Sequence, residues 1–302
     1  MPTRVIIDAD PGVDDTAAIL LALASPELEI EAVTAIYGNG SMAQCAANAR
    51  RILAVAGRSD IPVYPGAAGP LLRIHTADWA AHIHGDDALG GEGARIDSAD
   101  TVDAPVGNRA AVEIARRVLE SPGDITVLAL GRMTNLALAL RIAPEIAVAL
   151  AVCGDPESAA VLYDSGVPIV QVGLDVCDRC GFSDSQLHQL SQSEAPAVQL
   201  LVRATGFIQQ AYRRMGRFAQ GEAARYNDVP AVAYAVDSGL MQTTLLPVSI
   251  DTASDLTRGQ TVVDWHGVTG RAPNVDVCLE VDAARLTEMV VERLINHDWP
   301  IH

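Results

Sequence analysis

Short apolar runs separated by polar turns set the pattern of the first third of the chain. Residues 5–10, Val5-Ile-Ile-Asp8-Ala-Asp10, read as a buried strand that ends in acid. Residues 16–24 read as a helix whose first turn holds Asp14 and Asp15. A second strand over 30–36 ends in Tyr37-Gly38-Asn39-Gly40-Ser41, and a helix over 42–56 is closed by Gly57. A short strand over 61–64 precedes a turn rich in Gly and Pro. Strand, helix, strand, helix and strand at this spacing predict right-handed crossovers and a parallel sheet covered by helices, an α/β fold of Rossmann-like type.

Residues 71–105 show no apolar period and read as a long loop carrying His75, His82 and His84. Irregular segments of that length are often functional. Helices are then expected over 109–120, 136–141, 156–164, much of 186–216, 229–236 and 283–295. Strands are expected over 125–130, 148–152 and 169–174. The turn at 131–135 offers Thr134 and Asn135 as helix-capping residues. Residues 246–251, 260–264 and 274–280 read as a β-rich flap. With no internal repeat, low-complexity segment or linker, residues 1–302 are expected to form one domain.

Composition narrows the class. The apolar content is 49% with only 4% aromatic, which suits parallel strands buried on both faces. There is no Lys, so every basic residue is Arg, and net charge is −17. That charge argues against general affinity for nucleic acid or an anionic membrane. No apolar run is long enough to cross a bilayer, and the N-terminus is not patterned like a secretory signal. The five Cys are few and odd in number, so no disulfide framework is implied and a cytoplasmic protein is expected. Cys177-Asp-Arg-Cys180 is a lone pair, more consistent with coincidence than with zinc.

The chemistry concentrates in Asp8-Ala-Asp10-Pro-Gly-Val-Asp14-Asp15. Asp8 and Asp10 are two apart on a strand and face the same way. Asp10 ends the first strand, on the edge where open parallel sheets bind ligands. Pro11-Gly12 permits a sharp turn, and Asp14 and Asp15 then fall at a helix N-terminus, where the dipole favours negative charge. Carboxylates this close repel one another unless a cation neutralises them, and a hard divalent ion takes oxygen ligands. A carboxylate beside a metal-activated water can serve as general base.

These residues resemble the signature of the inosine–uridine-preferring nucleoside hydrolases, calcium-dependent N-ribosidases. The likeness continues in order along the chain. It includes Ala32-Val-Thr-Ala-Ile-Tyr-Gly38-Asn39, Val63-Tyr-Pro-Gly66-Ala and His82-Ile-His84-Gly85. It goes on through Leu128-Ala-Leu130-Gly131-Arg-Met-Thr134-Asn135, Val172-Gly-Leu-Asp175-Val and Asn227-Asp228-Val-Pro-Ala231-Val-Ala-Tyr. The resemblance implies a Ca²⁺ site made by Asp10, Asp15, Asp228 and the backbone carbonyl of Leu130. It implies that Asp14 deprotonates a calcium-bound water attacking C1′ of a ribose, with Asp8 structural. Asn39, His84 and Asn227 would contact a nucleoside-like substrate, in purine and pyrimidine salvage. A homodimer or homotetramer is the implied assembly.

Two positions depart from the family pattern. The resemblance implies a loop with an Asn and a Glu-Phe-Asn that bind the ribose, especially its 5′ side. Here Ala143-Pro-Glu-Ile-Ala-Val-Ala-Leu-Ala-Val-Cys-Gly154 runs straight into Asp155-Pro-Glu-Ser-Ala-Ala160, and neither is present. Each buried polar group left unpaired would cost about 1–3 kcal/mol. Asn227 stands where purine-accepting members have His, and an amide cannot protonate a leaving base. That leaves His82 and His84, then Tyr212 and Tyr226, as candidates for base contact. A second reading follows, a protein that binds calcium and a nucleoside-like ligand without turnover. A metal-dependent phosphatase is a third, weakened by the absence of Lys and of a phosphate-binding Gly loop.

Overall fold

The computed structural model of the protein describes residues 1–72, 80–96, 109–144, 147–150 and 155–300. The N-terminal unit is β1 (Thr3–Ala9), α1 (Val13–Leu23), β2 (Leu28–Ala35), α2 (Met42–Val55) and β3 (Val63–Pro65). A short helix, α3 (Ala81–His84), follows. Then come α4 (Ala110–Glu120), β4 (Ile125–Ala129), α5 (Thr134–Ile142), β5 (Ala147–Leu150), α6 (Pro156–Tyr163) and β6 (Ile169–Gln171). The remainder is α7 (Leu174–Cys177), β7 (Phe182–Ser183), α8 (Asp184–Ser191), α9 (Pro196–Met215), β8 (Glu222–Ala224) and α10 (Val229–Val236). β9 (Met241–Leu246), β10 (Val248–Ile250), β11 (Thr261–Val263), β12 (Val275–Val281) and α11 (Ala283–Asn296) complete it.

Eight strands form one sheet in the order β3-β2-β1-β4-β5-β6-β12-β9, parallel throughout except for the antiparallel edge strand β9. The order runs outward in both directions from β1 and β4. The crevice of such a sheet opens between those two strands, at their C-terminal ends. Alternation along β1 explains the two cores. Val5, Ile7 and Ala9 face a cluster built with α1, α2 and α8–α11, whereas Ile6 faces a cluster built with α4, α5 and α6. Helix α1 is buried on every side as far as Ala22. That fits its uniformly apolar sequence after Asp15.

The expected α/β order holds through the first 171 residues, with differences at the element ends. The helix expected over 136–141 begins at Thr134. Thr134 and Asn135 do not cap it; their side chains point elsewhere, as described below. The strand expected over 169–174 stops at Gln171, because Gly173 starts α7. Part of the strand expected over 148–152, and much of the loop 71–105 with His75, lie outside the described residues. The larger correction concerns the tail. Residues 275–281 are not part of a flap: β12 inserts into the main sheet beside β6, and β9, unmarked by any strong local pattern, pairs along it. Of the expected flap strands, β10 and β11 do pair apart from the main sheet, and β7 and β8 form another small antiparallel pair. Pairing of Gln171 with Val277 is a contact between distant parts of the chain, which local hydrophobic alternation does not encode.

Candidate active site

Three parts of the chain converge at the β1–β4 crevice. Asp10 follows β1, Asp14 and Asp15 open α1, and Asp228 precedes α10. Asp228 is the N-cap of α10 yet makes no capping bond with its side chain. The carboxylate is turned instead towards the other acids. Oxygens of Asp14, Asp15 and Asp228 lie within 4.8 Å of one another. All four carboxylates are buried.

Each acid is held by the local fold. The Gly12 N–H and the Asn39 Nδ2 both donate to Asp15 Oδ2, at 2.8 and 2.9 Å. The Asn39 N–H donates to Asp10 Oδ2 at 2.7 Å, and its Nδ2 reaches the Asp10 carbonyl at 3.0 Å. Asp14 Oδ1 accepts from the Asp15 backbone N–H at 3.2 Å. Room for Asp10 comes from two glycines. A Cβ on Gly38 would lie 1.8 Å from Asp10 Oδ2, and one on Gly131 would lie 2.8 Å from Oδ1.

Burial raises the pKa of all four acids, and neighbouring carboxylates add to it at Asp10, Asp15 and Asp228. Asp14 is pushed up to about 6 by burial, against hydrogen bonds that lower it. Asp15 is pushed up to about 7 by burial and then by Asp14. Asp10 and Asp228 are held well above the usual carboxylate range by burial and by the adjacent carboxylates. Asp15 Oδ1 is buried without a hydrogen-bond partner among the described residues. Three carboxylates within reach of one ion, those of Asp14, Asp15 and Asp228, with an orphaned oxygen and with Asp10 outside that group, fit a hard cation bound only by oxygens.

Asp8 lies one turn of strand below. It is fully buried, and Oδ1 accepts from Thr34 Oγ1 at 2.6 Å and Asn135 Nδ2 at 2.8 Å. Asn135 also donates to the Ala35 carbonyl and accepts from the Ala67 N–H. It thus ties β1, β2 and the turn after β3 together beneath the acids. Thr134 reaches the other way, donating to Asp155 Oδ2 at the start of α6.

His84 is brought to the cluster by a braced loop. Asp87 accepts from the backbone of Leu89, Gly91 and Gly93, and Asn48 donates to the carbonyls of Pro11 and Asp87. His84 Nδ1 accepts from the Val13 N–H at 3.3 Å and stands 3.7 Å from Asp14 Oδ1. Burial lowers its pKa to about 4. The ring is therefore neutral near pH 7, with its proton on Nε2. Asn227 donates Nδ2 to the Tyr212 hydroxyl at 3.2 Å, while its Oδ1 is buried without a partner among the described residues.

A cavity of about 730 Å³ opens over these groups, large enough for a nucleoside-sized ligand. Of the site residues expected from the sequence, all but Asp15 line it, including Leu130 and Asn39. Asp15 lies behind, fully buried. The exposed His82 and buried Tyr212 also line the cavity, whereas Tyr226 packs on Phe182 and bonds Thr205. Cys177 and Cys180 are buried free thiols, Cys177 donating to the Asn227 carbonyl. Asn135, Asn48 and the clearance at Gly38 and Gly131 escape sequence reasoning; the one available signal is a Gly just past each strand end.

A sequence profile of the inosine–uridine preferring nucleoside hydrolases matches residues 5–153 and 152–288. The chain belongs to that family. It is a hydrolase of N-glycosyl compounds, with the family's α/β fold. Relatives include the pyrimidine-specific ribonucleoside hydrolase RihA of Salmonella arizonae, 31% identical over 97% of this chain and 99% of the relative. RihA of Klebsiella pneumoniae is 32% identical at the same coverage. A plant nucleoside hydrolase superposes with a TM-score of 0.87 at 30% identity, covering 98% of this chain and 100% of the other. A purine-preferring ribonucleoside hydrolase from Gardnerella vaginalis gives 0.84 at 28% identity over 96% and 98%. The profile match divides at 152–153. That junction lies outside the described residues. No helix among the described residues is long and apolar enough to cross a membrane.

Proposed function

We propose that the protein hydrolyses the N-glycosidic bond of a nucleoside, releasing ribose and free base, and that it does so with Ca²⁺. The observation that carries this reading is the buried carboxylate cluster at the sheet crevice, with Asp14, Asp15 and Asp228 oxygens within 4.8 Å of one another. Asp10, Asp15, Asp228 and the Leu130 carbonyl would hold the ion. When bound, it would lower the pKa of water and orient oxygen ligands.

This chain's residues supply the rest. Asp14 borders the cavity, and its raised pKa keeps it a competent proton acceptor near neutral pH. It takes the proton of the attacking water. Asn39 aligns Asp10 and Asp15 through its two donors and borders the substrate. Neutral His84 offers an Nε2–H, and Asn227 an amide, to the ligand. Neither acts as a strong acid near pH 7. Relatives bear both pyrimidine-specific and purine-preferring names, so both classes of nucleoside are candidate substrates. A cytoplasmic homodimer or homotetramer is the proposed form, read by light scattering.

The test is ribose release from purine and pyrimidine nucleosides, run beside calorimetric titration of Ca²⁺. Binding of about one ion, with turnover abolished by chelation and restored by Ca²⁺, is expected. Undiminished turnover after chelation removes the metal from the reaction. Ca²⁺ binding without ribose release from any nucleoside favours a ligand-binding role.

A further inference from the structure

Away from the acids, the cavity wall includes Gln171, a polar side chain with no part in the proposed reaction. Gln171 is the last residue of β6 and is 7% exposed. Its backbone pairs with Leu150 of β5 on one side and Val277 of β12 on the other. It therefore sits between the ends of β5 and β12.

The orientation of its amide is set. Tyr163, buried on α6, donates its hydroxyl to Gln171 Oε1 at 3.1 Å. A primary amide has one acceptor end and one donor end. With Oε1 turned to α6, Nε2 is turned away from it. Nε2 lies beside Gly173, itself a cavity-lining residue, and makes no hydrogen bond to any described residue. Facing the cavity, that N–H is free to meet a ligand, whereas Leu or Met would fill the same volume and offer no donor. A phenol fixing one end of an amide whose other end borders the cavity is a pre-aimed donor.

We infer that Gln171 is a substrate-binding residue, donating its amide N–H to an acceptor oxygen of the riboside, with Tyr163 as its positioning residue. The inference rests on the proposed nucleoside hydrolysis. The acceptor belongs to the sugar or to the base, and the test separates the two.

Gln171→Leu removes the amide. Gln171→Glu keeps its shape and its acceptor for Tyr163 but offers no N–H. In both, kcat/KM for the best nucleoside of the panel should fall by about tenfold to a hundredfold. Ca²⁺ affinity, the control for an intact fold, should stay within about twofold of the parent. Tyr163→Phe should raise KM with kcat little changed, because a freed amide weakens binding rather than chemistry. Titration of ribose into the Ca²⁺-loaded proteins reads the arm: weaker ribose binding in Gln171→Glu places the acceptor on the sugar. Loss for nucleosides alone places it on the base.

An active parent whose two Gln171 variants keep kcat/KM and ribose affinity within about twofold overturns the inference and leaves the proposed function standing. A parent that neither hydrolyses nucleosides nor binds ribose overturns both.

Discussion

Asp14 and Asp15 are chain neighbours with different surroundings. Asp15 is fully buried and receives two hydrogen bonds on one oxygen, whereas Asp14 borders the cavity. In the proposed reaction the first holds the ion and the second takes the proton. Asp14→Asn should therefore lower kcat by about 10²–10⁴-fold, the usual contribution of a general base. Ca²⁺ binding should survive in that variant and be lost in Asp15→Asn. Steady-state kinetics beside calcium calorimetry makes the comparison. Equal loss of Ca²⁺ in both variants would place Asp14 among the ligands, which its proximity to Asp15 and Asp228 also permits.

At the scale of elements, the acids depend on backbones that can approach them and on an amide that ties strands together. The end of β2 passes so close to Asp10 that only glycine fits at 38, and the turn after β4 does the same at 131. Gly38→Ala should displace the Asp10 carboxylate and weaken Ca²⁺ by about tenfold or more, since an outlying change in ligand geometry is felt directly by the ion. A calcium titration with Tm as the fold control checks it. Asn135 links three segments through the Asp8 carboxylate, the Ala35 carbonyl and the Ala67 N–H. Asn135→Ala strands those groups in the core and should cost about 2–4 kcal/mol in chemical denaturation. Denaturation within about 0.5 kcal/mol of the parent would show that the link is dispensable.

For the whole molecule, the buried acids couple stability to pH and to metal. Burial raises Asp8 to about 7, Asp15 to about 7 and Asp14 to about 6. A carboxyl whose folded pKa is raised binds its proton more tightly in the folded state. Its stabilisation is complete below the unfolded value near 4 and is lost as pH rises through about 6–7. The chelated protein should therefore melt higher at pH 5 than at pH 8. Ca²⁺ needs the ionised carboxylates, so its stabilising effect should be largest at pH 8 and shrink towards pH 5. At a hundred times its Kd the ion should add about 2.7 kcal/mol. Thermal melts at the two pH values, each with chelator and with Ca²⁺, give all four terms. A Ca²⁺ effect independent of pH would contradict the assignment of buried acids as its ligands.

The chain itself determined the alternation of strands and helices, because apolar period and Gly punctuation are local properties. It also singled out where to look for chemistry, since four acids around Pro11-Gly12 are rare without a cation to neutralise them. Asp228 is marked in the sequence by its motif's likeness to the family, and the fold brings it to Asp15 across most of the chain length. Tertiary structure alone decided what supports the site: Asn135 reaches β1 instead of capping its own helix, and β12 enters the main sheet instead of a flap. None of these contacts has a local signature, because each pairs groups brought together only by the order of strands. The Tyr163–Gln171 pair is of the same kind: two ordinary residues in the sequence, and a fixed amide donor once α6 packs over the end of β6.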